Sequence, residues 1–117
     1  RSWRHVMADD VLMGFCTCPD AQVAGDIAEA LIGKGHAACA NIIPGLTSVY
    51  YWEGEVHRDP ETLLVMKTSA AAWQRLQDTI QRLHPDDVPE IIAVPVDHGL
   101  PAYLDWVGEQ TSGGSQG

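Results

Sequence analysis

Two cysteines near the start of the chain have the residue type and spacing that suit metal binding. Cys16 and Cys18 lie two positions apart, and on an extended strand this spacing points both thiols to the same side. Thiolates prefer soft ions such as Cu(I) and Zn(II). The spacing alone does not define a zinc centre, because a structural zinc site has four ligands and the sequence has no second cysteine pair. Packing in an apolar core is the alternative for Cys16.

His84 is a second candidate ligand, placed where a predicted helix ends at Pro85. An imidazolium at that position interacts favourably with the negative helix terminus, so helix capping competes with metal ligation.

Four aromatic and charged side chains that the predicted core does not need could bind a small molecule: Trp52, Glu61, Lys67 and Tyr103. Lys67 could pair with Glu61, because strand alternation puts both on one face. The alternative is a lysine at the end of a strand that reaches solvent.

The sequence carries none of the common catalytic motifs. It has no Walker loop, no G-x-G-x-x-G or H-E-x-x-H motif and no Ser-His-Asp order. Thiol-dependent catalysis needs a low-pKa thiolate beside a base, and no sequence pattern places one. We therefore expect a protein that is not an enzyme.

The apolar pattern predicts the elements that would position these residues. Their order is β-α-β-β-α-β with a short C-terminal helix, which indicates an α+β, ferredoxin-like antiparallel sheet with both main helices on one face. The first strand, residues 11–16, stops at Cys18-Pro19-Asp20, where a helix begins. Ser69 is expected to cap the second helix. Pro95 lacks a backbone donor and places the fourth strand, residues 90–96, at a sheet edge.

The central hairpin is longer than this core needs. Residues 38–52 form a strand kinked at Pro44-Gly45, and residues 55–68 return with an interruption at Asp59-Pro60. Such a hairpin exposes apolar side chains and an unpaired edge on a monomer, and pairing with a second copy removes both. We therefore expect a homo-oligomer; a hairpin folded over its own sheet is the alternative.

Charge and composition limit the partners. The 117 residues contain 16 acidic and 7 basic side chains, for a net charge of -9. This charge repels phosphate backbones and anionic lipids, so we expect neither nucleic acid nor a membrane as a partner. The sequence has no signal-peptide-like start and no apolar run near the roughly 20 residues of a membrane helix. Three cysteines do not form a disulfide framework, so we expect a cytoplasmic protein with reduced thiols.

One domain, residues 11–110, accounts for the periodic part of the chain. Residues 1–10 are expected to be disordered or of non-native origin, because they show no periodic pattern. The Gly-rich residues 111–117 are expected to form a flexible tail.

Several motifs, taken together and in order, resemble the CutA divalent-cation tolerance family. They are Cys16-Thr17-Cys18-Pro19-Asp20, residues 37–45, residues 48–54, His84-Pro85, residues 88–91 and residues 103–106. The resemblance covers the chain from about residue 11 to residue 111. It implies a ferredoxin-like fold assembled into a homotrimer and a role in tolerance to divalent metals.

For the site, the resemblance implies copper or another divalent cation. The copper ligands proposed for some members are a cysteine at the end of the first strand and two adjacent histidines. Cys16 and His84 match two of these positions, and Leu83 stands at the third. Two rival functions are a small-molecule sensing or signalling module with clefts between subunits, and a scaffold whose function is the trimer itself.

Overall fold

Four strands and three α-helices follow the predicted order along residues 6–113, which are the residues that the computed structural model describes. A short 3₁₀ helix leads directly into the second α-helix. The elements are β1 (Val11–Cys18), α1 (Ala21–Gly33), β2 (Cys39–Trp52), β3 (Glu55–Ser69), the 3₁₀ helix Ala70–Ala72, α2 (Trp73–Leu83), β4 (Ile92–Pro95) and α3 (Pro101–Gln110).

The strands form one antiparallel sheet in the order β2-β3-β1-β4. Helices α1 and α2 cover one face, where Ile27, Leu31, Leu76 and Ile80 are fully buried. Burial of each such side chain stabilises the fold by about 1.5–3 kcal/mol. Helix α3 packs on the opposite face through Val107. The predicted α+β, ferredoxin-like fold is confirmed.

The edge strand and the helix starts differ from prediction only in detail. Strand β4 lies at the sheet edge, as Pro95 predicts, but begins at Ile92 rather than at residue 90. The Asp20 carboxylate accepts a hydrogen bond from the Val23 N–H at 2.9 Å and caps α1. Ser69 accepts from the Ala72 N–H at 3.3 Å, so it caps the 3₁₀ helix that precedes α2 rather than α2 itself.

The β2–β3 hairpin extends past the rest of the sheet. Strand β1 pairs with β3 only from Cys18↔Thr62 onward, so residues 46–52 and 55–61 pair with each other alone. We call residues 46–61 the arm. The predicted interruption at Asp59-Pro60 is wrong, because β3 is continuous. Pro60 lies where β3 has only β2 beside it, a setting in which a strand tolerates proline.

A β-bulge at Pro44-Gly45 produces the predicted kink. Ile43 pairs with Leu63 and Leu46 pairs with Glu61, so three steps along β2 oppose two steps along β3. Gly45 has φ +91° and meets no neighbouring atom at its Cβ position, which suits glycine. The extra residue reverses the facing of β2 residues relative to β3 beyond the bulge. Strand alternation then places apolar side chains on both faces of the arm: Val49, Tyr51 and Val56 on one, Tyr50 and Trp52 on the other.

Both ends of the described chain pack beyond the predicted boundaries of 11 and 110. The N–H groups of Ala70 and Ala71 donate to the carbonyls of Asp10 and Ala8, each at 2.9 Å. Thr111 is buried; its hydroxyl donates to the Val107 carbonyl at 2.9 Å, and its Oγ1 lies within hydrogen-bond distance of the Ser69 hydroxyl, also at 2.9 Å. Residues 1–5 and 114–117 of the predicted terminal segments lie outside the described residues. Of the helices described, none has both the length and the apolar character to cross a membrane.

Candidate metal centre

Strand β1 and the end of α2 bring two thiols and one imidazole together. Ligand atoms of Cys16, Cys18 and His84 all lie within 4.8 Å of one another. The two cysteines project from the same face of β1, as strand alternation predicts, toward the layer of α1 and α2. His84 directly follows α2. The cysteines are 0% exposed and His84 is 7% exposed, so the cluster lies inside the protein.

The hydrogen bonds of His84 define its protonation. The Asp86 backbone N–H donates to Nδ1 at 3.0 Å, so Nδ1 accepts and the ring proton is on Nε2. Nε2–H in turn donates to the Thr17 carbonyl at 2.9 Å. The ring therefore bonds to β1 between the two cysteines and not to the last carbonyls of α2. The capping alternative for the imidazole is wrong, since only its backbone N–H bonds within the helix, to the Ile80 carbonyl at 2.8 Å.

The pKa values of the two thiols shift in opposite directions. The hydrogen bond with Cys18, together with burial, raises the pKa of the Cys16 thiol. The same hydrogen bond lowers the pKa of the Cys18 thiol. Cys18 is therefore the thiol that ionises first, and the Cys16 S–H stabilises its thiolate. In the neutral pair the Cys16 S–H has a second acceptor, the Thr17 carbonyl, at 3.8 Å.

The charges of several carboxylates act on the two thiols. Glu90 and Asp86 raise the pKa of Cys16, and Glu61, Asp20 and Asp86 oppose ionisation of Cys18. Each of these charges makes the potential at the sulfurs more negative. A negative potential disfavours thiolates that lack a counter-ion and attracts a cation.

The third cysteine of the chain and Leu83 both lie outside the cluster. Cys39 is half-buried at the start of β2 and pairs with Lys67. Leu83 is 47% exposed, so the position at which the family resemblance expects a histidine carries neither a ligand nor a fully buried side chain.

The four candidates for small-molecule binding do not converge within one chain. Trp52 pairs with Glu55 at the tip of the arm, and Glu61 lies at its base. Lys67 is six residues further along β3, about 20 Å from Glu61 on an extended strand. The expected Lys67–Glu61 pair is wrong, because Lys67 Nζ donates to Asn41 Oδ1 on the adjacent strand β2.

Tyr103 lies near the Lys67 end of the sheet. Its ring contacts Trp106 within α3, with centroids 5.7 Å apart. Burial raises the pKa of Tyr103, and the proximity of Cys39 adds to the effect. Since Lys67 is the register partner of Cys39, Lys67 and Tyr103 occupy one end of the hairpin and Trp52 the other. A cleft that uses all four side chains requires more than one subunit.

The fold and the cluster together define a class of protein: a small βαββαβ domain with a buried thiol–imidazole group. Residues 12–110 match the family model described as CutA1 divalent ion tolerance protein. The divalent-cation tolerance protein CutA of Thermus thermophilus is 50% identical over 95 residues, which are 81% of this chain and 92% of that protein. The chain therefore belongs to the CutA1 divalent ion tolerance protein family, as the sequence motifs predict.

A solved structure and a longer relative extend this comparison. The structure of the divalent cation tolerance protein Cut A1 from Thermus thermophilus superposes with a TM-score of 0.85 at 46% identity, covering 86% of this chain and 98% of its own. Protein CutA of Mus musculus is 43% identical over 101 residues. That match covers 86% of this chain but 57% of the mouse protein, so this chain spans little more than half of that relative.

Proposed function

We propose that this protein binds copper or another divalent cation through Cys16 and His84, and that it acts in metal tolerance as a homotrimer without catalytic activity. The observation that carries the proposal is the placement of a buried thiol and a buried imidazole nitrogen within 4.8 Å of each other. Thiolate and neutral imidazole are ligands for copper and zinc. The names of the relatives, which refer to divalent-cation tolerance, agree with this chemistry.

The hydrogen bonds at the site orient the imidazole beside the two thiols. Both nitrogens of His84 are engaged with backbone groups, so a metal that binds the ring replaces one of these hydrogen bonds. The same bonds hold the ring in one orientation beside the cysteines. A ligand that is held in place before an ion arrives loses little conformational freedom on binding.

The homotrimer is supported by apolar surface that a single chain leaves uncovered. Tyr51, Trp52 and Val56 of the arm are 72%, 60% and 69% exposed. On the sheet face that α3 only partly covers, Ile92 and Val94 of β4 are 55% and 48% exposed. Side chains of this kind are normally covered by a partner, and the number of subunits follows from the family resemblance.

A cytoplasmic location is part of the proposal. The three cysteines are free thiols, and the proposed site needs Cys16 reduced. Alkylation under denaturing conditions, applied immediately after acid quenching of cells, is expected to find Cys16 reduced, because denaturation exposes this buried thiol. Recovery of Cys16 mainly in mixed disulfides would contradict this location.

Titration with Cu(I) tests the metal function directly. We expect Cys16→Ala to weaken Cu(I) binding by about 100-fold, because the variant loses a soft ligand from a buried site. Cys39→Ala is the matched control, since Cys39 lies outside the cluster, and its affinity should equal that of the native chain. Equal affinities of the native chain and Cys16→Ala would remove Cys16 from the site.

A further inference from the structure

Cys18 is the member of the cluster that the family resemblance does not assign. Its thiol is fully buried on the same face of β1 as Cys16. Its sulfur lies within 4.8 Å of the Cys16 sulfur and of a His84 nitrogen. Packing in the core would explain why Cys18 is buried. It does not explain why three ligand atoms from two separate elements converge.

We propose that Cys18 is a third protein ligand beside Cys16 and His84, and that the three bind a thiophilic divalent ion such as Zn(II) or Cd(II) as an uncharged unit. This inference rests on the proposed metal-binding function and narrows the class of ion.

The distances fit the coordination with small movements. Zn–S bonds of about 2.3 Å hold two sulfurs about 3.8 Å apart around a tetrahedral ion. The ligand atoms here lie within 4.8 Å of one another, so shifts of about 1 Å bring them to bonding positions. Three protein ligands leave one position of a tetrahedral ion for water or another donor.

Charge selects the class of ion. Each thiol releases its proton to solvent as its metal–sulfur bond forms, which leaves two thiolates and one neutral imidazole. A divalent ion makes this set neutral, whereas a monovalent ion leaves one net negative charge. Burying a net charge is costly, and the carboxylates of Asp86, Glu90 and Glu61 near the sulfurs increase that cost. Hard ions such as Mg(II) prefer oxygen ligands and do not suit two thiolates.

Cadmium titration of the full chain counts the thiolate ligands. The measurement is the ultraviolet thiolate-to-cadmium charge-transfer absorbance, taken in the presence of a phosphine reductant. We expect one Cd(II) per chain and, in both Cys18→Ser and Cys16→Ser, about half the native absorbance, with Cd(II) affinity lowered by at least about 10-fold. Cys39→Ser should retain full absorbance, and an excess of Mg(II) should not displace Cd(II).

The variants separate failure of this inference from failure of the proposed function. Full absorbance and native affinity in Cys18→Ser, with loss in Cys16→Ser, would remove Cys18 and leave the proposed function intact. No charge-transfer absorbance in the native chain would overturn the inference, while the Cu(I) titration with Cys16→Ala still decides the function. Cys18→Ala, which keeps a small apolar side chain in the core, should give the same halved absorbance; full absorbance would overturn the assignment.

Discussion

Thr17 contributes its backbone carbonyl to two side chains of the site. It accepts from His84 Nε2–H at 2.9 Å and from the Cys16 thiol at 3.8 Å. A metal at Nε2 would displace the single ring proton to Nδ1, which would then donate instead of accepting from the Asp86 N–H. The Asp86 carboxylate, whose Oδ2 lies 4.0 Å from Nδ1, is then the nearest anionic acceptor. Asp86 is therefore a positioning residue for the proposed ligand.

Removing the charge of Asp86 should weaken metal binding. We expect Asp86→Asn to lower the Cd(II) affinity by about 10-fold, the effect typical of a carboxylate that holds a ligating histidine. The backbone N–H of residue 86 is unchanged, so the metal-free variant keeps the present bond from this N–H to His84 Nδ1. Competition titration against a chelator measures the difference.

Asp87→Asn provides the comparison, because it removes the same charge from the adjacent position. Its affinity should stay close to the native value. If both variants lose the same affinity, the effect comes from net charge, and the positioning role of Asp86 is excluded.

Strand alternation was sufficient to predict that Cys16 and Cys18 share a face. It could not predict that His84 joins them, because the ring reaches β1 across 67 residues of sequence through the packing of α2 on the sheet. Without that neighbour, two cysteines at this spacing are as consistent with core packing as with a site, which is why the sequence offered Cys18 as a possible soft ligand but did not assign it to the site.

At the scale of the elements, the tip of the hairpin contains an unfavourable residue. Glu53 and Gly54 are the two turn residues, and both have positive φ, 49° and 81°. A two-residue turn with positive φ at both positions favours Asn-Gly, because asparagine adopts this conformation at lower cost than glutamate. The turn was predictable from Glu53-Gly54, whereas its strain was not, because glutamate does not indicate a positive φ.

Glu53→Asn should stabilise the hairpin. We expect the free energy of unfolding to rise by about 0.5–1 kcal/mol, as the strain at residue 53 is relieved. Urea unfolding at one fixed protein concentration measures the change, since the proposed assembly would make apparent stability depend on concentration. Glu55→Asn makes the same substitution in the extended strand β3 and should give no gain. An equal gain in both variants would show that the effect is one of charge.

At the scale of the whole molecule, net charge opposes the proposed assembly and exposed apolar surface favours it. A net charge of -9 keeps copies apart through long-range repulsion, whereas the exposed apolar side chains of the arm favour contact. The sequence predicted this surface from the excess length of the hairpin. It did not predict which of these side chains lies on which side of the sheet, because that depends on the bulge at Pro44-Gly45.

A charge on the arm should break the assembly. We expect light scattering to give three times the chain mass for the native protein and the mass of one chain for Tyr51→Lys, because a partly buried lysine opposes association. Ile32→Lys places the same side chain on α1, where the native residue is 43% exposed, and should leave the trimer intact. A native protein with the mass of one chain would contradict the homotrimer, and dissociation of both variants would exclude the arm as its specific basis.

The bulge at Pro44-Gly45 changes which residues of β2 face each side of the sheet. Before it, odd-numbered residues of β2 lie on the same side of the sheet as Lys67 and Val65; after it, even-numbered residues do. The arm and the core of the sheet therefore follow two different rules of alternation within one strand. An insertion or deletion of two residues in a strand of this hairpin preserves which side chains face each side of the arm. An insertion or deletion of one residue moves them to the opposite side while leaving the core strands in place.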